Sequence, residues 1–413
     1  MQKADVAVLG AGIVGLSAAL HLQARGREVV ILDRHAAPGQ ETSFGNAGLI
    51  ERSSIFPYFF PHSANKLIRY AFNLAPEAHY HPSALPTIFP WLWRYFRESG
   101  PSGAARSFAA FRPLIEQCLA EHAPLSAAAG AQGLIRPSGW LKIFHAASSF
   151  DAGARDAEKL KSFGLSVDIL DARDVLKREP HLTPPHGALH FLDTASVTDP
   201  AALSQAYLDL FLARGGHFIA GDARTLEQYA RGWRLEMTQG HLFAYDIVVA
   251  LGPWSDQIYR PLGYQIPLGV KRGYHMHYAL QKDRQLFHPI LDADHGFLLA
   301  PMTRGVRLTT GAEFANRDAP PTPIQIDRCE PLAHNLAPLG DRLDPAPWMG
   351  ARPCLPDMLP VIGPAPKHKG LWFNFGHAHH GLTLGPVTGR LLAEIMTGES
   401  PFIDPRPYRA DRF

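Results

Sequence analysis

VAVLGAGIVGLSAALHLQARGREVVILDR, residues 6–34, begins with an apolar run that admits two readings. A secretory signal has a charged start, an apolar core and a small-residue cleavage site. Lys3 and the run from Val6 fit that pattern loosely, but Asp5 and three regularly spaced glycines do not. The other reading is a nucleotide cradle. A valine-rich strand leads into Gly10, Gly12 and Gly15, spaced G-x-G-x-x-G. A helical stretch follows and stops at Gly26, and a second buried strand ends on Asp33. Each piece has a physical job. Gly10 allows the tight turn, Gly12 lets backbone approach a pyrophosphate, and Gly15 lets helix and strand pack closely. The helix N-terminus presents free N–H groups and partial positive charge to phosphates. Asp33 can accept hydrogen bonds from ribose hydroxyls and disfavours a 2′-phosphate, which argues against NADP. With strands, helix and acid all in place, the stretch predicts a dinucleotide-binding unit. The motif serves NAD and FAD alike, so the choice must come from the rest of the chain.

The chain has 413 residues, long for one compact core, so two domains are expected. A 46% apolar, 19% charged composition is that of an ordinary globular protein. Net charge is +2, without the concentrated basic face that nucleic acid requires. Cys118, Cys329 and Cys354 are scattered, which argues against a disulfide framework or a zinc site and suits a reducing cytoplasm. No internal repeat or low-complexity tract is present.

Three further stretches are distinctive. ETSFGNAGLI (41–50) is a small, polar loop that by itself could be any loop. YDIVVALGPWSD (245–256) is a buried strand broken by Gly252 and Pro253, either a second approach to a cofactor or a plain strand and turn. GARPCLPDMLPVIGPAPKHKGLWFNFGHAHHGLTLGPVTGRLLAEIMTG (350–398) has a proline-rich approach and an apolar strand. A glycine- and histidine-rich loop follows, then a terminal helix over VTGRLLAEIMTG, with its N-terminus facing back at GLTLGP.

Together with the opening unit, these stretches resemble the D-amino-acid oxidase-like family of FAD-dependent oxidoreductases, in order and position, over nearly the whole chain. The family includes D-amino-acid dehydrogenases, glycine oxidase and sarcosine oxidases. The resemblance is strongest to the small-subunit type of bacterial D-amino-acid dehydrogenase and weakest over 55–139. It implies an α/β (α+β overall) fold in which a Rossmann-like FAD-binding domain (1–60, 150–262 and 338–413) is interleaved with an antiparallel-sheet substrate domain (61–149 and 263–337, helical over 61–120).

Carried onto matching positions, the resemblance implies noncovalent FAD. Gly10, Gly12, Ile13, Val14, Gly15 and Asp33 would hold its adenosine diphosphate, with Arg34 near the adenine or ribose. Ser43, Asn46, Ala47 and Gly48 would line the ribityl and flavin side, and Ala250, Gly252 and Trp254 the middle. Gly381, Leu382 and Thr383 would face the pyrimidine edge, where a helix N-terminus stabilises the charge of reduced flavin. Arg352 would pair with a substrate carboxylate, since a guanidinium matches that group in two-point geometry. Tyr274 and His380 would complete the substrate site, although HMHYAL around Tyr274 also reads as a plain alternating strand. His377, His379 and His380 cluster, but no metal is expected, because the sequence supplies no carboxylate or cysteine set to complete a site. Cys354 is expected to be a small buried side chain.

The implied reaction is oxidation of a D-amino acid, acyclic or cyclic (D-proline or cis-4-hydroxy-D-proline), by hydride transfer from the α-carbon to FAD. No catalytic side chain is required, since the cofactor carries the chemistry. Electrons would pass to a quinone or a partner protein. SSIFPYFFPHSANKLIRYAFNLAP (53–76) and PTIFPWLWRYFRESG (86–100) are too short to span a bilayer. They fit either a helical cover over the site or a peripheral contact with the inner membrane face. Two alternatives stand beside this reading: a glycine- or sarcosine-type oxidase using oxygen, and an FAD-carrying subunit of a larger dehydrogenase.

Overall fold

The computed structural model describes residues 2–237 and 240–413, apart from the side chains of 65 and 66. The elements that bear on the site begin with β1 (Gln2–Leu9), α1 (Ile13–Gln23), β2 (Val29–Asp33), α2 (Leu85–Glu98), α3 (Pro101–Glu116), α4 (Cys118–Ala128) and α5 (Pro200–Ala213). They continue with β3 (His241–Val249), β4 (Gly269–Leu280), β5 (Gly305–Thr309), β6 (Ala312–Phe314), β7 (Trp348–Cys354), β8 (Leu371–Phe375) and α6 (Gly381–Thr397).

The first sheet is built on parallel pairs. β1 lies between β2 and β3, with Val6–Leu9 opposite Val29–Leu32 on one side and Asp246–Val249 on the other. His217–Ala220 adds to β2 and β8 adds to β3, both parallel. Val6, Val8, Val30, Ile31, Ile247 and Val249 are fully or almost fully buried, as expected of parallel strands covered on both faces. Each such side chain contributes roughly 1.5–3 kcal/mol by leaving water. α1 and α6 lie side by side over this sheet, and small residues let them approach. A Cβ on Gly389 would stand 2.8 Å from the Ala18 nitrogen, and one on Gly385 would stand 3.2 Å from the Ile13 carbonyl.

The second sheet has eleven strands centred on β4. β4 pairs antiparallel with β7, β5 and β6. This is the expected mixed architecture, a parallel nucleotide-type sheet beside a largely antiparallel one. Strand membership departs from the expected residue ranges. Gly187–Phe191 pairs with Trp140–Phe144, and Val167–Asp171 with Gly187–Phe191, in the second sheet, although 150–262 was expected in the nucleotide unit. β7 likewise belongs to the second sheet, although 338–413 was expected in the first. In both places a strand pairing distant in sequence decides the membership. The helical segment runs beyond 120, since α2, α3 and α4 carry it to Ala128. Among the described residues no helix is long and apolar enough to cross a membrane.

α6 starts at Gly381, six residues before the expected helix, and so contains Pro386. Proline has no N–H for the carbonyl four residues back. Here that carbonyl, on Leu382, accepts instead from His122 Nε2 of α4 at 2.7 Å. The Tyr207 hydroxyl of α5 lies 3.4 Å from His122 Nδ1, so one neutral imidazole bridges three helices. Burial pushes the His122 pKa down to about 4, which keeps it neutral.

Candidate functional site

A cavity of about 1030 Å³ runs from the carboxyl ends of the first sheet to one face of β4 and β7. Its first end is walled by backbone. Gly10 has φ +108°, and a Cβ there would stand 2.6 Å from the Ala250 carbonyl. A Cβ on Gly15 would stand 1.9 Å from the Gly10 carbonyl, so only glycine lets the helix leave the strand this closely. Gly12 caps α1, whose first turn carries no acid to oppose its field. Asp33 is fixed at the end of β2, where its carboxylate accepts from the amides of Ala11 (2.7 Å) and His35 (2.9 Å). Gly12, Ile13 and Val14 line the cavity beside it. This cradle, which any Cβ at Gly10 or Gly15 would close, fits an adenosine diphosphate.

Arg34 lies 4.2 Å over the Trp254 ring and pairs with Glu41. Trp254 therefore closes the cradle end of the cavity with Arg34, while Ala250 and Gly252 line the wall next to it. Ser43 is also nearer this end than the family pattern implied: its hydroxyl oxygen accepts from Ile13 N–H at 3.0 Å. Asn46 and Ala47 line the cavity, and Asn46 Oδ1 accepts from the Gly48 amide at 2.8 Å. Gly48 shapes this turn from behind, with φ +77°, where a Cβ would meet the Val197 carbonyl at 2.4 Å.

α6 aims its N-terminus at the cavity, and Gly381 and Leu382 line it. Thr383 does not. Its hydroxyl donates to the Leu49 carbonyl (3.1 Å) and accepts from the Glu51 amide (3.2 Å), which ties the helix to the loop after β2. The first turn of α6 holds no acidic residue, so its positive end is unopposed.

Sheet alternation organises the far end. Successive strand residues face opposite sides, so Lys271 and Gly273 on β4 share the cavity face, as do Trp348, Gly350 and Arg352 on β7. Arg352 stands opposite Lys271 in register. Its guanidinium rests over Gly273, where a Cβ would stand 2.4 Å from Nη2. It donates to the carbonyls of Gly311 (2.9 Å) and Thr310 (3.2 Å), and among the described residues no carboxylate pairs with it. Burial lowers its pKa.

Tyr274 borders the cavity, but it is one residue out of phase with that face and its hydroxyl is turned away. Its hydroxyl donates to Glu313 Oε2 (2.8 Å) and accepts from Arg272 Nη2 (3.0 Å) and the Thr322 amide (2.8 Å). All three of its hydrogen-bonding positions are used on the far side of the sheet, so the expected substrate contact is replaced by a buried network. His380 is also displaced. Its backbone caps α6 and its ring packs on Phe111 of α3, 5.2 Å between centroids. His379 is the histidine that lines the cavity, with its ring 4.7 Å edge-on from Tyr58.

Sequence reasoning missed Lys271, Glu51, Tyr58, Trp91 and Tyr95. Strand parity around Arg352 was the one signal for Lys271. The others come from a loop and from α2, where no local pattern marks them. Tyr95 donates to the Tyr58 carbonyl, and Trp91 Nε1 donates to the Cys354 carbonyl at 3.2 Å, so α2 is fastened across this end. Burial lowers the Lys271 pKa to about 8 and raises those of Glu51 and Cys354. Cys354 is buried, as expected. Glu51 corrects one expectation: its carboxylate approaches His379 and His380, so the histidines do have an acidic neighbour. The field of Arg352, Lys271 and the α6 N-terminus opposes a cation there.

Residues 5–395 match the family described as FAD dependent oxidoreductase. A D-amino acid dehydrogenase of Cereibacter sphaeroides is 30% identical over 422 positions, covering 99% of this chain and 95% of that protein. A D-amino-acid oxidase of Bradyrhizobium diazoefficiens is 29% identical, covering 99% and 98%. Among solved structures, glycine oxidase from Geobacillus kaustophilus superposes with a TM-score of 0.76 at 21% identity, covering all of both chains. L-proline dehydrogenase from P. horikoshii gives 0.74 at 16%, covering 100% of this chain and 98% of that one. At those identities the two structures establish the shared fold.

Proposed function

The chain belongs to the FAD dependent oxidoreductase family, and from that premise we propose that it oxidises D-amino acids at the α-carbon. The observation that carries this reading is Arg352, a half-buried guanidinium with only carbonyl partners among the described residues, facing the same cavity as the dinucleotide cradle. Burying a cation without a counter-charge is costly, and an amino-acid carboxylate supplies that charge. The curated relatives named for D-amino acids, similar over the full chain, support the D-series.

FAD, when bound, supplies the two-electron acceptor. The protein's part is to bind, orient and exclude water. Arg352 takes the substrate carboxylate and Gly273 leaves it room. Tyr58, Trp91 and Tyr95 cover the reacting end, and the α6 N-terminus stabilises negative charge placed against Gly381 and Leu382. Orientation of this kind supplies much of the barrier reduction, and no side-chain base is assigned. The product is an imino acid, hydrolysed to an oxo acid and ammonia, or a cyclic imine from a ring substrate such as D-proline or cis-4-hydroxy-D-proline.

FAD is held noncovalently, and the electrons leave to a quinone or a partner protein. Ile68, Phe72, Leu74, Phe89 and Trp93 are exposed near Arg69, Arg94 and Arg97 in sequence. That combination suits a peripheral contact with an anionic membrane surface, beside a quinone pool.

The test is anaerobic mixing of the purified holoenzyme with paired D- and L-amino acids, ring substrates included, while following flavin absorbance near roughly 450 nm. Bleaching by a D-isomer and not its L-isomer is expected. Bleaching by none of the panel, or by L-isomers alone, overturns the reading. Admitting air then separates an oxygen-using enzyme from one that needs another acceptor.

A further inference from the structure

Resting on that reading, we propose that the preferred substrates carry a second carboxylate on the side chain, with Lys271 as its partner. The cavity face of β4 and β7 holds two cations, and one α-carboxylate accounts for only one of them. Lys271 stands opposite Arg352 across the antiparallel pair, so both side chains leave the sheet on the same side. The Lys271 ammonium has no carboxylate or carbonyl partner among the described residues. Beside it lie three ring faces, Tyr95 at 4.0 Å, Trp91 at 5.6 Å and Phe314 at 5.7 Å from the centroids, with the Arg352 guanidinium and the Cys354 thiol also near enough to act on it.

Ring faces attract a cation only weakly. Taking an ion out of water costs several kcal/mol, so the rings alone leave a deficit. Among the described residues none of the acids that line the cavity forms an ion pair with Lys271. Glu51 is turned to the Ser54 hydroxyl, and burial shifts it toward the neutral form. Glu77 accepts from the Tyr70 hydroxyl at 3.1 Å. Lys271 is therefore the cation of this face that an α-carboxylate on Arg352 leaves without a paired counter-charge.

The spacing adds a size. The Arg352 guanidinium rests over Gly273, two residues along β4 from Lys271. That repeat is roughly 6–7 Å. A four- or five-carbon dicarboxylate, as in aspartate or glutamate, is the simplest chain with one carboxylate for each of two cations placed this near along one face. Trp91 and Tyr95 hold Lys271 from α2, so the second carboxylate would lie under the helical cover.

The experiment compares acids with their isosteric amides in the holoenzyme. D-aspartate against D-asparagine, and D-glutamate against D-glutamine, are followed by anaerobic flavin reduction. The wild type is expected to favour the acids by at least about 30-fold in kcat/KM, with Lys271→Met cutting that ratio below about 3-fold and Lys271→Arg keeping most of it. Binding is read separately, by flavin spectral shift, for succinate against butyrate, neither of which is a substrate. Succinate should bind wild type at least about tenfold more tightly. The wild-type comparisons stand even if Lys271→Met fails to fold. Wild type that reduces fastest with D-asparagine or D-alanine, or binds butyrate as tightly as succinate, overturns the inference and leaves D-amino-acid oxidation intact. Loss of all D-amino-acid reduction with succinate still bound strongly would instead overturn the reaction and keep the dianion site. An acid-to-amide ratio unchanged in Lys271→Met shows that Lys271 is not the partner.

Discussion

At the nucleotide end the cavity is walled by main chain: Gly10, Gly12 and Gly15, the amides that hold Asp33, and the first turn of α1. At the far end it is walled by side chains from four separate segments: Tyr58 from a loop, Tyr95 from α2, Lys271 from β4 and Arg352 from β7. The first end is written within 28 residues of sequence, because backbone shape depends on near neighbours. The second depends on which face of β4 meets the cavity, and that is settled by pairing with β7, some 80 residues on. Main-chain sites tolerate no new side chain, whereas side-chain sites tolerate exchange but lose chemistry.

The sharpest way to break this contrast is Gly15→Ala. The added methyl would stand 1.9 Å from a backbone oxygen. We expect a loss of about 4 kcal/mol or more of stability, and protein that retains little flavin. A yellow Gly15→Ala protein with wild-type melting temperature would refute the account of the cradle. Next in size is Arg352→Met, which leaves a substrate carboxylate facing an apolar group. About 10³-fold loss in kcat/KM is expected with flavin content unchanged, roughly 4 kcal/mol of transition-state binding. Activity within tenfold of wild type would remove Arg352 from the site.

A smaller effect concerns the support behind both ends. Burial holds His122 at about 4 and His377 and His380 at about 3, all below the usual 6.5 of an exposed histidine. The unfolded chain therefore binds more protons than the folded one below pH 6.5. Their contribution to stability is complete above that pH and is lost progressively as pH falls from 6.5 toward 4. His122→Gln keeps a donor for Leu382 and removes one titration. Denaturant melts should show its slope in this window flatter by about 1 kcal/mol per pH unit; an unchanged slope would show that His122 is already charged. The smallest expected effect is that of Tyr274→Phe. It lies on the wrong face of β4 for substrate, so turnover should change less than about threefold while stability falls by about 1–2 kcal/mol. A tenfold rise in KM would put the hydroxyl back in the cavity.

The parts legible in the sequence follow the same division. Gly10, Gly12, Gly15 and Asp33 were readable from spacing alone, and Arg352 from the proline-flanked motif that carries the family likeness. Tyr274 was placed one residue out of phase, since an alternating strand does not say which parity faces inward. His380 stands beside His379 with no local signal to separate the two rings, and the start of α6 lies six residues before the VTGRLLAEIMTG stretch. Thr383 follows two residues that do line the cavity, and it is turned away by partners more than 330 positions off, Leu49 and Glu51. The strands at 167–191 read as part of the nucleotide unit until pairing with Trp140–Phe144 assigned them elsewhere. Each of these misses concerns an interaction partner far away in the chain.

The hydrogen bond from His122 to Leu382 joins residues 260 positions apart. It makes the C-terminal helix a poor module for transplantation. Moved into another scaffold, the segment from Gly381 to Thr397 would bring Pro386 and an unanswered carbonyl, and the graft would need the imidazole of α4 to travel with it. Circular permutants and chimeras of this chain should therefore keep Cys118–Ala128 and Gly381–Thr397 together as a single inherited unit.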